Sequence, residues 1–426
     1  MPKVLIITYY WPPAGGPGVQ RLLKFVKYLP EFGWEPIVLT VDIGNFPAYD
    51  HSLISEIPSD VKVYQTKNYE PDVIYRKFTG KKEDNIPVAV LAARKLNWKM
   101  RIAHWIRLNL FVPDAKIGWI ASAVKTAGRI IREENIDLIY SSSPPPTTHL
   151  IAQKLKKKYN LKWIADFRDP WTKIHYYHKA NRCFLAKYLD EYLERKVLQE
   201  CDGVTTASSM FQKLLPIEDG KPRETITNGY DDEVINAKVE KGKNFVLLHA
   251  GGITSNRFYF EFFEGLQKFL ADHEKRAKTQ LVLVGKVNNE IVDEIRKYVP
   301  PEVLQISGYQ PHNKALSMMG SASVNLIFLE KLANYQGHIP GKIFEYIAMQ
   351  RPVLGAGDPE GDTAKIIRQS GCGNVFAAGS DWLEIINNAF ENWMNNNEIK
   401  VDDKYIEQFH RRQLTNKLAD FFGEVL

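Results

Sequence analysis

Short apolar runs recur along the chain, each closed by glycine, proline or polar residues and followed by a stretch whose apolar positions repeat every three or four residues. The first run is Val4-Leu5-Ile6-Ile7-Thr8. It ends in the turn Pro12-Pro13-Ala14-Gly15-Gly16-Pro17-Gly18, and Val19, Leu22, Leu23, Val26 and Leu29 then mark the inner face of a helix. Further strand-like runs stand at 36–40, 61–64, 137–141, 162–166 and 203–206, with helical patterns between most of them. That alternation predicts a doubly wound parallel sheet. Near Gly242 the pattern restarts: Phe245-Val246-Leu247-Leu248-His249-Ala250 runs into Gly251-Gly252, and strand-like runs follow at 280–285, 303–306, 323–328 and 352–355. The chain therefore reads as two similar α/β sheets in tandem. Ligands of open parallel sheets bind beyond the carboxyl ends of the strands, so two such domains facing each other would form one cleft.

Three stretches carry candidate chemistry. In 338–355 a loop, a short helix and a strand succeed one another. Pro340 suits the first turn of a helix, leaving the amides of Gly341, Lys342 and Ile343 as an anion site, to which Lys342 adds a charge. Glu345 falls on the same face one turn later, in reach of a hydroxyl on a ligand whose phosphate sits at the helix start. The plainer alternative is a solvated Lys342–Glu345 pair above a core of Phe344, Ile347 and Ala348. The glycine loop at 15–18, with Arg21 in the following turn, is either a second anion site or a tight turn, since it is neither a GxGxxG nor a Walker loop. The segment 87–112 contains Arg94, Lys95, Lys99, Arg101 and Arg107 and no acid, interleaved with Trp98, Ile102, Trp105, Ile106 and Leu110. Such a helix, over 94–111, either lies on an anionic membrane or packs its apolar face on the sheet with its cations in water.

Composition narrows the class without choosing among these. The chain has 426 residues, 44% hydrophobic and 25% charged, which suits two soluble domains. A net charge of +6 is too small for this length to indicate nucleic acid. Cys183, Cys201 and Cys372 lack metal-binding spacing and fit a reducing cytoplasm. No apolar run reaches the roughly 18 residues of a membrane span, and the N-terminal run is too short for a signal peptide.

The order of features resembles the family 4 glycosyltransferases of the GT-B fold. The likeness rests on Gly15-Gly16-Pro17-Gly18-Val19-Gln20-Arg21, Ser142-Ser143-Pro144-Pro145-Pro146-Thr147-Thr148-His149, Asp166-Phe167-Arg168-Asp169-Pro170-Trp171, Thr227-Asn228-Gly229-Tyr230-Asp231 and Ile339-Pro340-Gly341-Lys342-Ile343-Phe344-Glu345-Tyr346. The Asp-Phe-Arg-Asp-Pro-Trp block looks like the branch found in bacterial capsule, exopolysaccharide and lipopolysaccharide assembly. The resemblance implies an α/β, GT-B architecture of two Rossmann-like domains facing a central cleft: an acceptor-binding domain over 1–240 and a nucleotide-sugar-binding domain over 241–404, with a helix at 405–426 packing back on the first. It also implies a cytoplasmic enzyme, at the inner membrane face, transferring a sugar from a nucleotide diphosphate sugar to a glycan or lipid-linked acceptor.

Residue by residue, Glu345 matches the second glutamate of the family's paired-glutamate motif and would hold the ribose. Lys342 with Gly341 would meet the diphosphate. The first glutamate is replaced by Gly337, so contact with the donor sugar falls to backbone amides, to His338, or is absent. Arg257 sits near the family's basic diphosphate ligand, whereas the usual lysine a few positions on is here Tyr259 or Phe260. Gly308 and Tyr309 resemble the turn that receives the base, and Gly15 and Gly16 would approach the donor. Asp166 and Asp169 are the candidates to orient the acceptor or assist proton transfer, with Arg21, His149 and Arg168 toward the acceptor; an Asp–Arg structural network is the alternative for the two acids, and a helix cap or packed residue for His149. Retention of configuration, with the departing phosphate assisting deprotonation, follows from the resemblance. No Asp-x-Asp occurs, no cofactor or metal is expected, and helix amides, Lys342 and Arg257 would stabilise the leaving diphosphate. Two other readings remain at this point: a nucleotide-sugar 2-epimerase of the same architecture, and a degenerate protein that binds nucleotide or glycan without turnover. A dinucleotide oxidoreductase is disfavoured by both glycine loops.

Overall fold

A computed structural model describes residues 1–42, 44, 46–68, 98–174, 177, 182–236, 242–332 and 335–426. The chain divides into two compact units, Met1–Thr227 with Arg411–Leu426, and Asn228–His410. The division thus falls before the expected 240. The C-terminal return starts at Arg411 rather than 405, because the short helix Asp403–Glu407 stays with the second unit, where Phe409 meets Phe344.

The first unit is built on seven parallel strands: β1 (Lys3–Ile7), β2 (Glu35–Val41), β3 (Lys62–Thr66), β4 (Leu138–Ser143), β5 (Lys162–Phe167), β6 (Gly203–Thr206) and β7 (Arg223–Thr225), in the spatial order 3-2-1-4-5-6-7. Val4 to Ile7, Leu138 to Tyr140 and Trp163 to Ala165 are fully buried, as expected of strands covered on both faces. The helices used below are α1 (Pro17–Tyr28), α2 (Trp98–Leu110), α3 (Ile120–Glu134), α4 (Thr147–Tyr159) and α5 (Phe184–Glu200). α1 has no side-chain cap; Gly16, at φ 111°, turns the chain into it and its carbonyl accepts from Val19 and Gln20. Gly18 is needed for another reason. A Cβ there would overlap the Arg168 guanidinium, which is tied to the carbonyls of Ser143 (2.8 Å) and Pro144 (3.0 Å).

The second unit repeats the plan with β8 (Phe245–Ala250), β9 (Thr279–Val284), β10 (Leu304–Gly308), β11 (Val324–Phe328), β12 (Val353–Ala356) and β13 (Gly373–Phe376), ordered 10-9-8-11-12-13. Its relevant helices are α6 (Phe260–Phe269) and α7 (Lys342–Ala348). In each sheet the direction of strand succession reverses between the first and fourth strands, β1 and β4 in one, β8 and β11 in the other. That reversal opens the crevice where such sheets hold ligands. The last helix, α8 (Arg411–Val425), packs along α1, and Phe422 sets its ring against Trp34 (5.2 Å) and Tyr140 (5.3 Å) in the first unit. Of the four edge strands, β7 and β13 are absent from the sequence expectation; both are short, and β7 has no apolar residue.

Candidate active site

In the second unit, β8, β9 and β10 each end on or just before a glycine of positive φ: Gly251 (123°), Gly285 (123°) and Gly308 (61°). The turns are stacked: Gly251 donates to Val284 (2.6 Å), Gly285 to Gly308 (2.7 Å), and a Cβ on Gly285 would meet Gly251 backbone at 2.9 Å. Left-handed φ and this close approach together demand glycine. The result is a backbone-lined floor beside the crevice.

Lys342 reaches across this floor. Its ammonium donates to the Ala250 carbonyl and occupies the space a side chain at Gly251 would need. Burial first, and then the nearby Arg257 charge, push its pKa down to about 7, with Glu345 opposing. The expected start of α7 is corrected in detail: the helix begins at Lys342 with Gly341 at its N-cap, so Pro340 precedes it, and the Ile343 amide is taken by the Pro340 carbonyl (3.0 Å). Glu345 lies one turn on, half-buried, with His312 Nε2 3.9 Å from its carboxylate. Tyr346 donates toward the Leu326 carbonyl (3.5 Å) and its oxygen accepts from the Ala250 amide (3.1 Å), holding α7 against β8.

His249 was not singled out by the sequence. Fully buried at the end of β8, it donates from Nδ1 to the Leu326 carbonyl (3.0 Å), which leaves Nε2 as an acceptor without a hydrogen-bond partner. Burial, followed by the charge of Lys342, keeps its pKa well below the ordinary imidazole value, so it is neutral. Lys342 Nζ thus fills the position a side chain at Gly251 would take, and His249 Nε2 lies in ordinary contact with it at 3.9 Å.

Arg257, just past the β8 turn, binds Glu330 through Nε (3.0 Å) and Nη2 (2.8 Å) and reaches Tyr335 (3.3 Å). Glu330 and Lys331 come from the loop after β11. Lys331 places its ammonium over the Tyr259 ring, 4.1 Å from its centroid, so a cation returns to the place where the sequence has an aromatic. Tyr259, Glu330 and Lys331 border a cavity of about 440 Å³ that is also lined by Tyr335, His338, Asp358 and Thr363. The His338 ring stacks on Tyr335 at 4.3 Å and its carbonyl accepts from Thr363 (3.0 Å). Gly337 is buried, and Tyr309 after β10 is 85% exposed.

In the first unit the residues expected near the acceptor separate into two kinds. Asp166 is fully buried, taking hydrogen bonds from Ser142 (2.7 Å), Thr205 (2.8 Å) and Arg21 (3.1 Å), while Arg21 also donates to the Thr227 carbonyl (2.6 Å). Burial opposes its charge, but Arg21, the Ser142 hydroxyl and Arg168 outweigh it and hold the carboxyl below its usual range. His149 is likewise enclosed, its Nδ1 2.8 Å from the Ser141 hydroxyl and its ring among Phe167, Trp163 and Trp171; burial pushes its pKa down to about 3. Asp166, Arg21 and His149 therefore form internal structure rather than a presented surface. Asp169 is half-buried and acts electrostatically on buried Arg168. Gly15 hydrogen-bonds Ala48 (2.9 Å) and faces Asp50. Among the described residues no group of three or more His, Cys, Asp or Glu side chains is placed to hold a metal ion.

Two tandem Rossmann-like parallel sheets, each reversing its strand succession beside its first strand, define the GT-B class of α/β protein. The chain belongs to Glycosyltransferase Family 4, whose sequence model matches residues 18–234, just over half of its length. No protein with a curated description matches it. Among solved structures it is similar to a glycosyltransferase from Rickettsia africae (14% identity, TM-score 0.63, covering 100% of this chain and 98% of that one). It is also similar to Anabaena HepE in complex with UDP (12%, 0.62, 100% of both) and with UDP-glucose (12%, 0.60, 99% of both). A third likeness is to the apo form of the lipopolysaccharide outer core galactosyltransferase WaaB (12%, 0.57, 100% of both). At these identities the similarity establishes the fold.

Proposed function

We propose that the protein transfers a sugar from a nucleotide diphosphate sugar to a glycan or lipid-linked acceptor in bacterial surface polysaccharide assembly, retaining configuration and without a metal. The observation that carries this reading is the cationic, backbone-lined floor formed by Gly251, Lys342 and Arg257 at the reversal point of the second sheet, with Glu345 one helical turn away. A diphosphate on that floor would meet Lys342 and Arg257, Glu345 would take the ribose hydroxyls, and Gly308 and Tyr309 would receive the base. The cations would then stabilise the charge that develops on the departing nucleoside diphosphate. With glycine at 337, the sugar is read instead by the loop after β11: Glu330 supplies a carboxylate, Lys331 an ammonium and His338 a ring edge at the 440 Å³ cavity. The half-buried Asp169 is the better candidate than Asp166 to orient the acceptor.

A panel of nucleotide sugars with purified protein, beginning with UDP-glucose, tests the reaction. Slow hydrolysis or acceptor-dependent release of nucleotide is expected. Conversion of the sugar without nucleotide release would instead identify a 2-epimerase, and binding without turnover a degenerate transferase. Turnover is expected to survive chelation; its abolition by chelator and restoration by Mg²⁺ or Mn²⁺ would overturn metal independence. Glu345→Ala is expected to weaken nucleotide binding about tenfold, the loss of a charge-assisted hydrogen bond pair, with unchanged thermal unfolding. Unchanged affinity in a calorimetric titration would make Glu345 plain scaffold.

A further inference from the structure

The helices α2 and α5 of the first unit are turned inside out relative to the usual amphipathic pattern. On α5 the face toward the protein carries Asp190 and Glu194. Asp190 accepts from Trp171 (2.6 Å) and Arg182 (2.6 Å), Glu194 from the hydroxyl (2.5 Å) and amide (3.1 Å) of Thr172. The outward face carries Phe184, Leu185, Tyr188, Leu189 and Tyr192, at spacings that align them along one side, and the first three are 78%, 73% and 58% exposed. α2 packs against α5, and Asn109 fixes the junction by accepting from the Cys183 amide (2.5 Å) at the start of α5. Its own outward residues are Trp98 and Leu110, each 65% exposed, with Ile102, Trp105 and Ile106 between them. Of the two sequence readings of this helix, packing of its apolar face on the sheet is not what the described part shows; Arg94 and Lys95 lie outside the described residues.

Ten large apolar side chains exposed on two adjoining helices exceed what a free surface normally leaves in water. Charge identifies the occupant. Among the described residues of the two helices, the exposed or half-exposed ionic side chains are Arg101, Arg107, Lys187, Arg195 and Lys196 against Glu191 and Glu200, and Glu200, at the far end of α5, is paired with Lys157 (2.7 Å). A symmetric contact between two copies would bring these cations together, whereas an anionic surface would neutralise them. Tryptophan, tyrosine and phenylalanine flanked by lysine and arginine suit the headgroup boundary of a bilayer. Among the described residues no helix is long and apolar enough to cross a membrane, so these helices would lie in its plane. We infer that the α2–α5 face docks the first unit on an anionic lipid bilayer, independently of the donor site in the second unit.

Co-sedimentation with phosphatidylcholine vesicles, with and without phosphatidylglycerol, tests this. The intact protein is expected to sediment with the anionic vesicles, and less so as salt rises. Phe184→Ser/Leu185→Ser/Tyr188→Ser and, separately, Arg101→Glu/Lys187→Glu are each expected to weaken partition about tenfold or more, with unchanged unfolding temperature and mass. Titration of nucleotide sugar into the same preparations separates loss of docking from loss of the donor site, because that binding is expected to persist. Three results would overturn the proposal: no sedimentation of the intact protein with anionic vesicles, undiminished sedimentation of the triple serine variant, or a solution mass that halves in that variant, which would make the face a contact between copies.

Discussion

Lys342→Met is expected to weaken nucleotide-sugar binding about 10- to 100-fold at neutral pH, the range associated with losing a hydrogen bond to a charged group. The intact protein should also show a pH dependence that the variant lacks. In the free protein burial and Arg257 hold the Lys342 pKa down at about 7, and a diphosphate beside the ammonium would raise it. The sign follows from linkage. Below pH 7 the side chain is charged in both states, so this group adds no slope. Above pH 7 the free amine must take up a proton on binding, and affinity falls by up to about tenfold per pH unit until the pKa of the bound state is passed. A nucleotide sugar is the correct probe because its diphosphate, esterified at both ends, does not itself titrate near neutrality. Calorimetry at about pH 8 in buffers of different ionisation enthalpy should register proton uptake by the intact protein and none by Lys342→Met. A flat affinity profile from pH 6 to about 9 would mean that the ammonium does not meet the ligand.

The second large effect concerns the buried pair of the first unit. Asp166→Ala removes the partner of Arg21, whose side chain is 1% exposed, and strands a cation in the interior. Breaking a buried ion pair from one side costs about 3–5 kcal/mol. For a unit of this size that corresponds to a fall of roughly 10 °C in its unfolding temperature, measurable by circular dichroism or calorimetry. Asp169→Asn, at a half-buried position, is expected to leave that temperature nearly unchanged while lowering turnover. If Asp166→Ala unfolds like the intact protein but loses turnover, the carboxylate belongs to the chemistry after all.

These contrasts mark where sequence reading succeeds. The buried central strands are visible because a strand covered on both faces must be apolar along most of its length, as Val4 to Ile7 is throughout and Val324 to Phe328 is apart from the buried Asn325. An edge strand carries no such requirement, and Arg223-Glu224-Thr225 and Gly373-Asn374-Val375-Phe376 are too short and mixed in polarity to read as strands. The Lys342–Glu345 helix was legible from local spacing. Its tie to Ala250 was not, nor was the pairing of Arg257 with Glu330, since both join loops that only the sheet order brings together. Asp166 stands out in the sequence within Asp-Phe-Arg-Asp-Pro-Trp; the partners that enclose it, Ser142 and Thr205, sit on the two neighbouring strands, invisible to a linear motif. α5 misleads most. Its apolar stripe would ordinarily face the core, but Trp171, Thr172 and Arg182 claim Asp190 and Glu194, and the helix rolls its aromatics outward.

The return of α8 to the first unit governs how the chain can be made. Phe421, Phe422 and Leu418 complete a core begun by β1 and α1, so that core stays open until the last of these residues has left the ribosome. The unit whose strands emerge first is therefore the last to close, while the second unit, contiguous over 228–410, has all its residues earlier. During synthesis the exposed apolar edge of the first unit is the segment that chaperones would need to shelter, and a stop at residue 410 would damage the N-terminal half of the protein rather than the half next to the cut.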